Sequence, residues 1–193
     1  FARLPVAFET AFAHTRWASV GSITEENCHP LSNFTLPTAA PSDTLQGKHY
    51  PAYGTSPWTI HVALNGDIDN YQILREAIEV ERELVAPEVT TDTKIIPLQI
   101  EKYLLLGYDL TEAFRRAVGD FEGSHAIAMV CSAEPGKIFL ALRGSGQSIY
   151  IGITPDRYLF SSELYGLVEE TPSFVKMDGE KSAHPDQPET TGQ

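Results

Sequence analysis

Four short apolar runs follow one another between residues 125 and 162: HAIAMVCS, KIFLALR, SIYIGIT and RYLFSS. Each has the length and the β-branched or aromatic content of a strand, and turn residues such as EPG and GSG separate them. Parallel strands need crossovers of a dozen or more residues. Links this short return each strand beside its predecessor, so this part of the chain reads as antiparallel sheet. Upstream the period changes. In DLTEAFRRAVGDF, Leu110, Ala113, Phe114, Ala117 and Val118 recur at helical spacing, with Asp109 and Glu112 at the spacing of a capping box. IDNYQILREAIEVERELV puts Ile68, Tyr71, Leu74 and Ile78 near one helical face. TTDTKIIPLQIEKYLLLG reads as a third helix that Gly107 stops, with Pro97 confined to its early turns. Before these helices, WTIHVAL alternates as a strand and runs into NGD, a tight turn. One strand, three helices and a run of strands do not alternate as a doubly wound fold does. The order fits an α+β chain with helices stacked on antiparallel sheets.

The 193 residues suffice for one domain with its own core, expected over residues 1–175, with a polar, proline-containing linker or tail over 176–193. Residues 30–57, rich in Pro, Gly, Ser and Thr, read as one long irregular segment. The formal net charge of −12 disfavours nucleic acid as a partner, since phosphate binding needs a basic face. No apolar run approaches the roughly 18 residues of a membrane span, and no signal-peptide pattern opens the chain. The two cysteines, Cys28 and Cys131, make no disulfide framework and are expected as free thiols in a reducing cytoplasm.

The chemistry-bearing residues concentrate in HTRWASVGSITEENCHP, residues 14–30. A metal site drawn from His14, Cys28, His29 and His49 or His61 matches no standard ligand spacing, so no metal is expected. A nucleophilic Cys28 would need a base or a positive field that sequence neighbours rarely supply. A substrate-gripping loop accounts for more. Arg16 offers a planar fork matched to a carboxylate, Trp17 a rigid wall, and Ser19 and Gly21 a close backbone approach. Two other motifs carry two readings each. LNGD is either a turn or a pair of donors, the Asn65 amide and the Gly66 N–H, for a developing oxyanion. Asp92 in TTDT is either a helix cap or the partner of a substrate ammonium.

Taken in order, HTRWASVGSITEENCHP, VALNGDIDNY and TTDTKII, followed by LRGSGQSIYIG and YLFSSE, resemble the class II glutamine amidotransferase domain. The glutaminase domain of glucosamine-6-phosphate synthases is the nearest match. The purine-pathway amidotransferases share the order but differ in the first motif. The resemblance runs from about His14 to about Glu163. It implies the four-layer αββα sandwich of the N-terminal-nucleophile hydrolases. It also implies hydrolysis of L-glutamine by the thiol of an N-terminal cysteine, whose own α-amine is the base. Ammonia then passes to an acceptor domain of the sugar-isomerase type. On this resemblance Arg16 binds the glutamine α-carboxylate, Trp17 helps close the site and Ser19 stands where the family has threonine. His29 shapes the site, Asn65 and Gly66 form the oxyanion hole, and Asp92 holds the α-ammonium. It further implies no cofactor, a cytoplasmic location and a homo-oligomer at full length. The chain departs from the pattern in three ways. Only thirteen residues precede His14 and Phe1 is no cysteine, so the nucleophile and the first strands are expected upstream of Phe1. Val20 and Leu64 stand where the synthases have histidine, and the segment 31–57 is expanded. The alternative is a non-catalytic relative that binds glutamine or a partner.

Overall fold

A computed structural model of the chain describes residues 9–34, 56–81 and 85–180. Most of the irregular segment read at 30–57 and most of the expected tail, 181–193, lie outside the described residues.

Strand β2, Ile60–Gly66, pairs antiparallel with β3, His125–Cys131, from Ile60 opposite Cys131 to Gly66 opposite His125. On one side β4, Phe139–Arg143, pairs with β3; on the other, the two-residue β1, Leu31–Ser32, pairs with β2. The sheet order is β1-β2-β3-β4. Alternation along the strands splits this sheet into two faces. Ile60, Val62 and Leu64 of β2 and Ile127, Met129 and Cys131 of β3 belong to one buried cluster. That cluster takes in the helices α1, Tyr71–Glu81, α2, Ile95–Leu105, and α3, Leu110–Asp120. Each large apolar side chain removed from water here contributes roughly 1.5–3 kcal/mol. The opposite face carries the small side chains of Ala63, Ala126 and Ala128. It packs through Ala126 and Leu142 on Ile149, Ile151 and Met177. Those residues belong to or flank a second antiparallel sheet, ordered β6-β5-β7, made of β5, Tyr150–Ile153, β6, Tyr158–Ser161, and β7, Phe174–Lys176. The layers are therefore helices, sheet, sheet, an α+β sandwich. The outer side of the second sheet is met by the segment after β6: a Cβ on Gly152 would lie 2.9 Å from Thr171 Cγ2 and 3.3 Å from Leu167 Cδ2.

Several local readings change. Asn65 and Gly66 stay in the ladder, opposite Ala126 and His125, so the expected tight turn between strand and helix does not begin at them; they are the end of the strand. An Asn-Gly pair makes a hairpin only when the chain returns as a strand; here the next element has helical period and the chain leaves toward α1. The capping box at α3 is half formed. The Asp109 carboxylate accepts from Glu112 N at 2.9 Å, but the Glu112 carboxylate is occupied by Arg115 at 2.7 Å and Arg116 at 2.6 Å. Strands β1 and β7 have no counterpart in the sequence reading. β7 straddles the expected domain boundary at 175, and beyond it Met177 N donates to Ile149 O and Gly144 N to Gly179 O.

Candidate functional site

At the end of β2 opens a cleft of about 240 Å³. Arg16, Trp17, Ser19, His29, Asn65, Gly66 and Asp92, the seven residues singled out from sequence, all line it. The segment 15–22 forms one wall, the 3-10 turn Asp92–Lys94 and its leading Thr91 the other, and the tip of β2 the floor. Ala13, His14, Thr15, Val20, Leu64, Thr91, Thr93 and Ser162 complete the lining.

The walls are held by polar contacts between segments far apart in sequence. Asn27 is fully buried; its Oδ1 accepts from Thr90 N at 2.8 Å and Thr91 N at 2.9 Å, and its Nδ2 donates to Glu88 O at 3.0 Å. Ser22 N donates to Thr90 Oγ1 at 2.9 Å. Gly21 adopts φ +85°, and a Cβ there would lie 2.7 Å from Thr91 N, so the two walls meet at a point only glycine fits. Arg16 donates from Nη1 to Ser22 O at 2.9 Å and from Nη2 to Val20 O at 2.5 Å. A guanidinium has five N–H donors, so these bonds orient the fork and leave donors for an anion. Trp17 is 93% exposed, so its ring stands open to water at the rim.

His29 works as a strut. Leu64 N donates to its Nδ1 at 3.4 Å, which places the proton of the neutral ring on Nε2, 2.8 Å from Thr93 Oγ1. Burial, helped by the positive fields of His14 and Arg16, holds its pKa down to about 4, so it is uncharged at neutral pH. Asp92 is 3% exposed, and its Oδ2 accepts from Ile68 N at 2.9 Å. Burial raises its pKa, the hydrogen bonds from Ile68, Thr91 and Thr93 oppose that, and the Asp67 charge adds to it. A buried acid of this kind is stabilised by any cation that enters the cleft.

Asp67 N donates to Ser124 O at 3.1 Å and Ser132 N to Thr59 O at 2.9 Å, so the odd-numbered residues of β2 exchange bonds with β3. The N–H groups of Leu64 and Gly66 therefore point to the opposite edge. That of Leu64 goes to His29; that of Gly66 reaches the cleft without a partner among the described residues. The exposed Asn65 side chain likewise has no hydrogen bond among the described residues. Asn65 and Gly66 are thus two adjacent, uncommitted donors. Neither thiol lines the cleft: Cys28 is exposed with Sγ 3.3 Å from Thr24 O, and Cys131 is buried on the helix side of β3. Among the described residues no three His, Cys, Asp or Glu side chains gather to hold a metal, and no helix is long and apolar enough to cross a membrane.

Sequence reasoning missed Asn27, Asp67 and Thr93. Nothing in EENC or TTDT marks a residue whose partners lie some sixty positions away.

Comparisons with known proteins bear on the family of the chain. A family profile described as a glutamine amidotransferase domain matches residues 39–169. The glutamine–fructose-6-phosphate aminotransferase (isomerizing) of Methanothermobacter thermautotrophicus is 33% identical over 166 residues, covering 86% of this chain and 24% of the relative. That of Symbiobacterium thermophilum is 32% identical over 175 residues, covering 91% and 24%. The chain spans about a quarter of the length of these relatives. Among solved structures, the glutamine phosphoribosylpyrophosphate amidotransferase of B. subtilis complexed with ADP and GMP superposes with a TM-score of 0.55 at 18% identity, over 77% of this chain and 26% of that one. A structure described as the allosteric regulatory enzyme of purine biosynthesis gives 0.56 at 19% identity, over 77% and 27%. The likeness in structure gives the N-terminal-nucleophile hydrolase fold, and with the family match and the 33% identity it establishes that this chain belongs to the glutamine amidotransferase domain family.

Proposed function

We propose that this chain is the glutamine-hydrolysing unit of a larger amidotransferase of the glucosamine-6-phosphate synthase type. The observation that carries the reading is the convergence of one cation, one buried acid and two free amide donors on a single small cleft. A glutamine head is a zwitterion, and Arg16 and Asp92 match its two charges. Ser19 adds a hydroxyl on the wall beside the head, His29 keeps that wall in place, and Trp17 is poised to cover the ligand. The side-chain amide then reaches Asn65 Nδ2 and the Gly66 N–H. When a thiolate adds to the amide carbon, the carbonyl oxygen becomes an oxyanion, and donors aimed at it lower the barrier. Collapse expels ammonia, protonated by the base that took the thiol proton, and water releases glutamate from the thioester. The reading assigns nucleophile and base to the thiol and α-amine of an N-terminal cysteine of the whole polypeptide. It gives the ammonia to an acceptor domain of the sugar-isomerase type, in a cytoplasmic homo-oligomer that needs no metal or cofactor for this step.

The test is to expose the full-length protein to an electrophilic glutamine analogue and map the adduct by mass. One adduct on an N-terminal cysteine supports the reading. In the same protein, Arg16→Ala removes a charged hydrogen bond of roughly 1.5–3 kcal/mol and raises the glutamine KM by roughly 10- to 100-fold. Absence of both adduct and glutamine turnover overturns it in favour of a non-catalytic relative.

A further inference from the structure

A residue outside the seven above holds one wall of the cleft in place. The segment 15–22 has no regular secondary structure, and Ser19 within it is exposed. Its Oγ donates to Asp67 Oδ1, a contact between residues 48 positions apart. Asp67 stands on a rigid post. Its N–H is bonded to Ser124 O at 3.1 Å. Its carbonyl lies so close to Gly123 that a Cβ there would be 2.6 Å from it. The next residue, Ile68, donates its N–H to the Asp92 carboxylate at 2.9 Å. One side chain therefore ties the irregular wall that carries Arg16 and Ser19 to the fixed corner that carries Gly66 and Asp92.

We infer that Asp67 is a positioning residue whose carboxylate latches Ser19, and through it the segment 15–22, over the glutamine head. The kinetic consequence rests on the glutamine reading above; the latch itself does not. Without it, the segment is still attached at Ser22 and Gly21, so Arg16 remains near the cleft but samples a wider range. That loosens binding of the substrate head more than it disturbs the reacting amide, which sits at Asn65 and Gly66. Asp67 does not itself line the cleft as Ser19 does, so its influence passes through the hydroxyl it holds.

The experiment compares Asp67→Ala, Asp67→Asn, Ser19→Ala and the Ser19→Ala/Asp67→Ala double variant in the full-length protein. The first readout is hydrogen exchange of the backbone amides of residues 16–22. Faster exchange in Asp67→Ala and in Ser19→Ala, with no further increase in the double variant, supports the latch. Unchanged exchange in Asp67→Ala overturns it, whether or not the protein turns over glutamine. The second readout is steady-state kinetics. Asp67→Ala raises the glutamine KM about 5- to 10-fold with kcat within about twofold, the signature of lost binding that is not specific to the transition state. The double variant is no worse than either single variant, because both remove one interaction. Asp67→Asn, whose amide oxygen still accepts from Ser19, recovers most of the loss. An Asn variant as impaired as the Ala variant would show that the negative charge of Asp67, and not its hold on Ser19, supports binding, and would overturn the positioning role. A protein with no glutamine turnover in any form would sink the glutamine reading, and hydrogen exchange alone would then decide for or against the latch.

Discussion

At Gly66 the demands of the backbone and of the chemistry fall on one atom. The residue holds φ +100°, and a Cβ would stand 2.2 Å from Ser124 O, a main-chain atom just before β3 that cannot swing aside. Relief requires β2 and β3 to separate where Gly66 opposes His125. Gly66→Ala is therefore expected to cost about 2 kcal/mol of stability, read as a lowered urea midpoint. It also tilts the N–H that faces the cleft. If that N–H stabilises an oxyanion, kcat falls by at least 10-fold while the glutamine KM moves little. A variant with normal kcat would remove Gly66 from the oxyanion hole, whatever its stability.

Helix α3 shows which elements announce themselves. Asp109 caps it through Glu112 N, and Leu110, Ala113, Phe114 and Ala117 are buried along one stripe. Asp109→Ala should cost about 1 kcal/mol by losing that cap. Gly119 sits exposed near its end with open space where a Cβ would be, so Gly119→Ala should add roughly 0.5–1 kcal/mol. Thermal melts of the two variants, moving in opposite directions, check both. This helix was legible because its signals are local: a cap and a period. The same holds for β3 to β6, each an apolar run between turn residues. β1 was not legible, because two residues carry no period. It pairs with β2 beside Asn33, whose side chain accepts from Ile60 N and donates to Glu101. β7 was missed because all three of its residues are exposed, which erases the in-out alternation. At the site, Arg16, Asn65 and Asp92, singled out by residue type and motif, do come together on one cleft. The scaffolding by Asn27 and Asp67 could not, since polar residues in loops look alike until the fold brings their partners near.

Taken as a whole, the molecule buries a base that its fold can tolerate only uncharged. His125 is completely buried at the end of β3, edge-on to Phe121 at 6.1 Å. Neither ring nitrogen has a hydrogen-bond partner among the described residues. Burial, and then the nearby Arg143 charge, hold its pKa down to about 4, against 6.5 for a free histidine. The unfolded chain binds a proton at a pH where the folded chain refuses one, so between those two values unfolding is favoured as acid is added. The stabilising effect of a neutral His125 is complete above about pH 6.5 and is lost as the pH falls toward 4, a difference of roughly 3 kcal/mol. His29, also depressed to about 4, titrates in the same direction over the same window. Replacing His125 with leucine removes the titration and keeps the site apolar. Urea melts of both proteins from pH 7.5 to 4 isolate the effect from the carboxylates common to both. The stability of the wild type relative to His125→Leu should fall steadily with acid below pH 6.5 and level off near pH 4. A constant difference would mean that His125 meets solvent or a partner in solution, and that the junction of β3 with the Gly66 corner is looser than its packing indicates.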